Sequence, residues 1–304
     1  MVKLATLFPL TQTIEIFSIR FLNCLASEYK GKATLINIGR SSQGNDLKVI
    51  QVGSGGRGKP AIFIDGGIHA REWISPATVT YILKDFLENA GKYSRILSKV
   101  DLYFLPLANP DGYEFSRQSD RLWRKNRSHS DRGKCAGVDL NRNFGYKWGG
   151  KGSSNNQCSE TYRGPRPFSE PESRAMRDFI LARRGNIHMY ITFHSYGQMI
   201  LYPWGYDTVD ARDSAELHRM GTVGARAMGR SYKVGSAAKV NYEAAGASDD
   251  WAKGSAGIKY SYTIELPDTG RHRFLLPARR IGTTVREAAN AVKAMADDMV
   301  GNIR

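Results

Sequence analysis

Two hydrophobic rhythms alternate along the chain. Ile14, Phe17, Phe21 and Leu25 fall at helical spacing and predict an amphipathic helix over residues 13–29. Thr34–Ile38, Leu47–Val52 and Ala61–Asp65 are short β-branched runs divided by glycine-containing turns, which predicts strands. Asp65-Gly-Gly-Ile-His-Ala-Arg-Glu72 then reads as a loop. A helix follows from about Ile74, with Pro76 in its first turn, where a missing N–H costs little. Leu102–Leu105 predicts another strand, and Asn109-Pro-Asp-Gly112 a tight turn. Residues 116–168 lose all periodicity and are rich in Gly, Ser, Asn and Arg, and an irregular stretch of that length is usually functional. Ser169-Glu-Pro-Glu172 has the form of a capping box opening a helix that stops before Gly185. Ile187–Phe193 and Tyr260–Leu266 are almost continuously apolar or aromatic, as in strands buried on both faces. A last helix over roughly 277–300 sets Ile281, Val285, Ala289, Val292 and Met299 on one face.

This alternation predicts the α/β class: a single-domain α/β/α sandwich around a mixed, mostly parallel central sheet. In such sheets, sites form in the loops beyond strand ends. No repeat or linker divides the chain, so residues 1–304 read as one domain. A hydrophobic share of 41% and a charged share of 24% can build a substantial core, which excludes intrinsic disorder. No run approaches about eighteen consecutive apolar residues, so no membrane-spanning helix is expected. Met1–Leu10 has one lysine and a short apolar run broken by Pro9, too interrupted for a secretory signal. The net charge of +15 raises nucleic acid, acidic polymers and anionic membranes as partner classes without selecting one.

The candidate chemistry sits at predicted strand ends. His69 and Glu72 lie three apart directly after one strand, and His194 ends another. Two imidazoles and one carboxylate form a three-ligand catalytic zinc set with the fourth position left for water. A solvated loop with an incidental ion pair is the competing reading of a bare His-x-x-Glu. His129, His188, His218 and His272 have no comparable partner spacing and read as surface or core residues. Arg117–Lys134 holds seven Lys/Arg in eighteen residues around Trp123. A nucleic-acid patch, a solvated loop and an anion pocket built from arginine forks all fit that segment. Asn141-Arg142-Asn143 is likewise an amide–guanidinium cluster or a turn held by Asn side chains.

Taken together, these segments resemble the zinc metallocarboxypeptidases of the pancreatic type, carboxypeptidases A and B, and lie nearest the B type. The matching pieces are His69-Ala-Arg-Glu-Trp73, Asn109-Pro-Asp-Gly-Tyr113, Arg121-Leu-Trp-Arg-Lys-Asn-Arg127 and Val138-Asp-Leu-Asn-Arg-Asn-Phe144. Phe193-His-Ser-Tyr196, Tyr242 in an Ala/Gly-rich loop, and Tyr262-Thr-Ile-Glu265 leading to Asp268-Thr-Gly270 follow in the family's order. The resemblance spans roughly residues 30 to 300.

The resemblance implies one Zn2+ per chain, held by His69, Glu72 and His194, with Asp139 accepting the second N–H of His69. It implies Glu265 as general base and acid and Arg127 as oxyanion donor. Asn141, Arg142 and Tyr242 match the residues that take the free carboxylate of a peptide or protein C-terminus. Arg71 and Tyr196 match neighbouring subsites. Seven residues after Tyr242, at the position of the pocket floor, stands Asp249, the residue type of B enzymes that remove C-terminal Lys or Arg. A buried carboxylate needs a cationic partner, which such a side chain supplies. Apolar floors give the A-type preference for aromatic or aliphatic ends. An Asp249 that merely caps a turn beside Asp250 is the plainer alternative. Gly205 and Ala237 match small residues of the pocket walls.

Two departures stand out: Pro267 replaces a residue that is often arginine, and one extra residue falls near Lys253-Gly-Ser-Ala256. Of the three cysteines, Cys135 and Cys158 match a family disulfide, implying an oxidising, secreted setting. Cys24, on the first helix, is expected as a small buried hydrophobe. Neither a signal nor an inhibitory activation segment is seen, so a separate activation segment or a protein inhibitor is an expected partner. A monomer that binds neither nucleic acid nor membrane is the expected form. The alternatives are a catalytically silent binder of C-terminal peptides and a basic nucleic-acid binder.

Overall fold

Eight strands join in one sheet, in the order β1 (Ala33–Arg40), β2 (Asp46–Val52), β4 (Asp101–Leu105), β3 (Ala61–Gly66), β5 (Ile187–Ser195), β8 (Tyr260–Leu266), β6 (Met199–Tyr202) and β7 (Lys233–Ser236). The structure, a computed structural model, describes residues 19–56, 58–129, 135–229 and 231–302. Four of the seven pairings are parallel, including the central run β4-β3-β5-β8. The outer pairings β1–β2, β2–β4 and β6–β8 are antiparallel. This is the expected mixed sheet.

Strand alternation supplies two cores. Ile62 and Ile64 face one hydrophobic cluster with α1 (Ile19–Glu28), α2 (Ile74–Glu88), α6 (Ser214–Ala227) and α9 (Ala278–Asn302). Phe63 faces the other, with Met176 and Phe179 of α5 (Pro171–Leu181) and Trp251 of α8 (Ser248–Gly254). Helices therefore cover both faces, as central parallel strands require. Fully burying each such large apolar side chain contributes roughly 1.5–3 kcal/mol.

Local structure departs from the sequence expectation at several points. Asn109-Pro-Asp-Gly112 is not a free turn but the start of α4 (Pro110–Gln118), after the short α3 (Ser94–Lys99). Asn109 caps it by accepting the Gly112 N–H at 2.9 Å, and Pro110 occupies the first turn. The capping box at Ser169 does not form. α5 starts at Pro171, and Asn143 Oδ1 instead accepts from Glu170 N at 3.2 Å and the Ser173 hydroxyl at 2.7 Å. Cys24 is exposed, not buried, because Phe21, Leu22 and Leu25 carry the inward face of α1. Ile14 and Phe17 lie outside the described residues. In α9, Val285, Ala289, Val292 and Met299 are buried and Ile281 packs at the margin.

Beyond α4, the aperiodic stretch to residue 168 holds one helical turn, Leu140–Arg142, among the described residues. Cys135 and Cys158 are disulfide-bonded across it, 23 residues apart, a closure worth on the order of 3 kcal/mol. Buried Arg124, Asn126, Asp139 and Asn143 tie this segment to its surroundings.

Candidate active site

β3, β5 and β8 run parallel side by side, so their carboxyl ends open together. The register pairs Asp65 with Thr192, and His194 with Glu265. A period of two puts Thr192 and His194 on one face of β5, and Thr263 and Glu265 on the same face of β8. The chain leaves β3 through Gly67, whose φ is +69° and whose Cβ position would fall 2.7 Å from Leu107 Cδ1. The Ser75 hydroxyl accepts from Gly67 N at 2.9 Å and donates to Phe193 O at 2.6 Å. That bridge fastens the loop carrying His69 and Glu72 to the strand carrying His194.

His69 Nδ1 lies 2.8 Å from Glu72 Oε1 and 3.1 Å from His194 Nδ1, which is 3.0 Å from Glu72 Oε2. All three side chains are buried. Donors bound to one zinc at about 2.0–2.1 Å in a tetrahedron stand roughly 3.3 Å apart, so this donor set fits that ion. Among the described residues these three form the His/Cys/Asp/Glu group able to hold a metal. Burial works against the Glu72 charge, but His69 and His194 outweigh it and hold the carboxylate below its usual range.

The second nitrogen of His69 meets Asp139 Oδ1 at 3.1 Å. An ionised Asp139 only accepts, so Nε2 carries the proton. Asp139 Oδ2 accepts from Arg124 Nε at 3.0 Å and Nη2 at 2.9 Å, and Oδ1 also takes Asn141 N at 3.0 Å. Burial opposes the Asp139 charge, yet Arg124 and His69 hold its carboxyl well below the ordinary range. Glu265 is the contrary case: burial pushes it up to about 8, against the pull of His194 and Arg124. Its Oε2 is buried without a hydrogen-bond partner among the described residues, which leaves it open to a ligand.

From His69, His194 and Glu265 a cavity extends past Asn141, Arg142 and Tyr242 to Thr263 and Asp249. Gly205 and Ala237 line it, as expected of small wall residues. Arg142 is buried and fixed by Nε donating to Gly152 O and Nη1 to Asn141 O, both at 2.8 Å. That leaves guanidinium N–H groups for an anion. Asn141 Oδ1 accepts from Ser248 N at 2.9 Å, so its amide can only donate onward. Tyr242, by contrast, is 52% exposed.

Asp249 and Asp250 are adjacent and both buried, but differ in what answers them. Asp250 accepts from Gly205 N at 2.8 Å and from Tyr206 N at 2.9 Å. Asp249 lines the cavity, and burial raises its pKa against a hydrogen bond from Thr263. No lysine or arginine pairs with it among the described residues. The cap is Asp250, and the open carboxylate is Asp249.

Besides Glu72 and Asp139, which sit behind the imidazoles, three expected residues stand outside the cavity lining. Arg71 donates to Leu122 O at 3.1 Å and Glu160 Oε2 at 2.9 Å, with its guanidinium over Phe274. Tyr196 packs against the same Phe274. Arg127 stacks on Phe115 and Trp123 at 3.6 and 4.6 Å. The basic segment is largely turned inward: Arg124 holds Asp139, Arg121 stacks on Trp73, and Lys125 donates to Gln157 O. Arg132 and Lys134 lie outside the described residues. Pro267 is buried directly after β8, and the extra residue falls at the end of α8, where Ala256 N bonds Trp251 O. Arg124 was missed as a site residue because nothing distinguishes it among seven cations.

The sequence pattern that defines zinc carboxypeptidases matches residues 18–291. The chain belongs to that family. This zinc carboxypeptidase is 47% identical to carboxypeptidase B of Astacus astacus over 91% of its length and 93% of that protein. It is 40% identical to carboxypeptidase A1 of Bos taurus, covering 93% of this chain and 69% of the other. Bovine thrombin-activatable fibrinolysis inhibitor, solved with tick carboxypeptidase inhibitor, superposes with a TM-score of 0.87 at 39% identity, covering 93% and 96%. The carboxypeptidase A of Helicoverpa armigera superposes at 0.88 with 32% identity, covering 93% and 72%. The zinc carboxypeptidase acts as a metallocarboxypeptidase, hydrolysing C-terminal peptide bonds, and is B-like.

Proposed function

We propose that this carboxypeptidase removes C-terminal Lys or Arg, with Asp249 as the selecting group. The observation that carries the reading is the unpaired carboxylate of Asp249 inside a cavity whose other end is the metal-ligand cluster. A buried carboxylate without a cation is costly, and a bound ammonium or guanidinium relieves that cost. Arg142 takes the substrate's free carboxylate, with Asn141 donating beside it and exposed Tyr242 closing over the pair.

His69, Glu72 and His194 hold the zinc, which when bound supplies a Lewis acid and lowers the pKa of water from about 15.7 to about 7. Glu265 accepts a proton from the attacking water as its oxygen bonds to the carbonyl carbon. As the C–N bond breaks, Glu265 returns that proton to the leaving amine. Arg127 donates to the carbonyl oxygen as negative charge grows there, because stacking takes up the guanidinium faces and its N–H edges hold no hydrogen bond among the described residues. Arg71 and Tyr196 line the neighbouring subsites, which hold the rest of the peptide. The disulfide supports secretion into an oxidising compartment. A protein inhibitor is an expected partner, as one relative is solved with such an inhibitor.

The test is hydrolysis of blocked dipeptides ending in Arg, Lys or Phe, with and without a zinc chelator. Chelator-sensitive release of Arg and Lys well above Phe is expected. Preferential release of Phe would overturn the pocket assignment. Folded, zinc-loaded protein that releases none would instead mark a binder of C-termini.

A further inference from the structure

His69 and His194 must each aim Nδ1 into the metal site, yet they are oriented by different means. Asp139 meets His69 directly, whereas the Nε2 of His194 faces no carboxylate but the Thr192 hydroxyl, at 3.2 Å. We infer that Asp65 and Thr192 form a relay that fixes the tautomer of His194 and so strengthens zinc binding; both are positioning residues, and the inference rests on the zinc reading above.

The count of hydroxyl and imidazole protons fixes the orientation. Thr192 Oγ1 has a single hydrogen and gives it to Asp65 Oδ1 at 2.8 Å. An ionised carboxylate only accepts, so the direction of that bond is fixed. Toward His194 the hydroxyl can then offer only a lone pair. Nε2 must therefore carry the imidazole proton, and Nδ1 keeps its lone pair facing Glu72 and His69.

The sheet builds this relay from residues 127 apart. Parallel pairing sets Asp65 beside Thr192, and the two-residue period sets Thr192 on the face of His194. Both Asp65 and Thr192 are fully buried, and neither lines the cavity, so substrate contact does not account for them. Among the described residues, no lysine or arginine pairs with Asp65, and the charge that attracts it is His194 itself. A buried carboxylate supported only by hydroxyls and an imidazole fits a group kept to orient that imidazole.

The test uses the full chain and the variants Thr192→Val and Thr192→Ser. Zinc dissociation constants are measured by chelator competition, with imidazole nitrogen NMR of the zinc-free protein, at alkaline pH where the ring is neutral, and its thermal unfolding beside them. Thr192→Val is expected to weaken zinc about 10–100-fold, the range typical of lost ligand-orienting partners. Thr192→Ser keeps the hydroxyl and is expected to stay near wild type, and wild-type His194 is expected to be protonated on Nε2. Wild-type affinity in a folded Thr192→Val would overturn the relay. So would a serine variant as weak as the valine one, or a wild-type His194 protonated on Nδ1, a measurement that stands even if the valine variant does not fold. Folded wild-type protein that binds no zinc would overturn the zinc reading itself.

Discussion

The two ends of the site are built on opposite electrostatic terms. At the metal end each charge is answered within the protein: Arg124 grips Asp139, Asp139 meets His69, and Glu72 sits between two imidazoles. At the pocket end Asp249 is as deeply buried, and among the described residues no lysine or arginine answers it: Thr263 and the backbone N–H groups of residues 249 and 250 are its hydrogen-bond donors. Its neighbour Asp250 does not line the cavity and is turned to the backbone N–H groups of Gly205 and Tyr206. A buried charge answered by the chain holds geometry. One left open is available to a ligand.

Glu265 joins the two ends and sets the largest expected effect. Glu265→Gln keeps the shape but cannot take a proton, so kcat/KM is expected to fall about 10²–10⁴-fold with zinc content unchanged. A variant that lost zinc as well would show that Glu265 belongs to the closed metal end, which metal analysis beside the kinetics would reveal.

Glu172 separates burial from ligand readiness. It is fully buried away from both ends, accepting from Ser42 N at 2.8 Å and Asn126 Nδ2 at 3.1 Å, and burial pushes it up to about 7 from 4.5. A raised carboxyl pKa means the folded state holds a proton that the unfolded state has released. Its contribution to stability is complete below pH 4.5 and is lost as pH rises through about 7. The full swing is on the order of 3 kcal/mol. Denaturant unfolding of Glu172→Gln across that window is expected to show a flatter pH slope than wild type. An unchanged slope would assign the effect to another group.

Asp139→Asn probes the closed end more gently. The amide can still accept from His69 but no longer answers Arg124, and zinc affinity is expected to drop about 10–100-fold by chelator competition. Asp250→Asn tests the cap, with an expected stability loss of about 1–3 kcal/mol in denaturant unfolding. Asp249→Asn is expected to leave stability level or raise it, because it removes a buried charge that no lysine or arginine answers among the described residues and keeps an oxygen for its hydrogen-bond donors. Equal losses at the two aspartates would erase the distinction between them.

The parts legible in sequence were those written in periodicity. Ile187–Phe193 and Tyr260–Leu266 announced buried strands, and the end of the first located His194, whereas Glu265 was reached through the family resemblance. β6 and β7 carried no signal because four residues are too few to show a period. Asn109 was misread because the residues that make a turn also cap a helix, and only the following chain decides. Arg124 could not be separated from the other cations of its segment, since its role depends on Asp139 fifteen residues away in an aperiodic loop. Nor does the pair Asp249-Asp250 disclose which member faces the cavity. That was reached by counting from Tyr242 along a family resemblance, and the cavity lining agrees with it.

Selectivity for basic ends turns on whether Asp249 is the open charge, and the Arg-to-Phe ratio of kcat/KM in wild type and Asp249→Asn measures this directly. Breaking a buried charge pair costs about 3–5 kcal/mol, so the ratio is expected to fall at least ~100-fold, mainly through loss of the Arg substrate. A ratio unchanged in the folded, zinc-loaded variant would contradict the account and move selectivity away from Asp249.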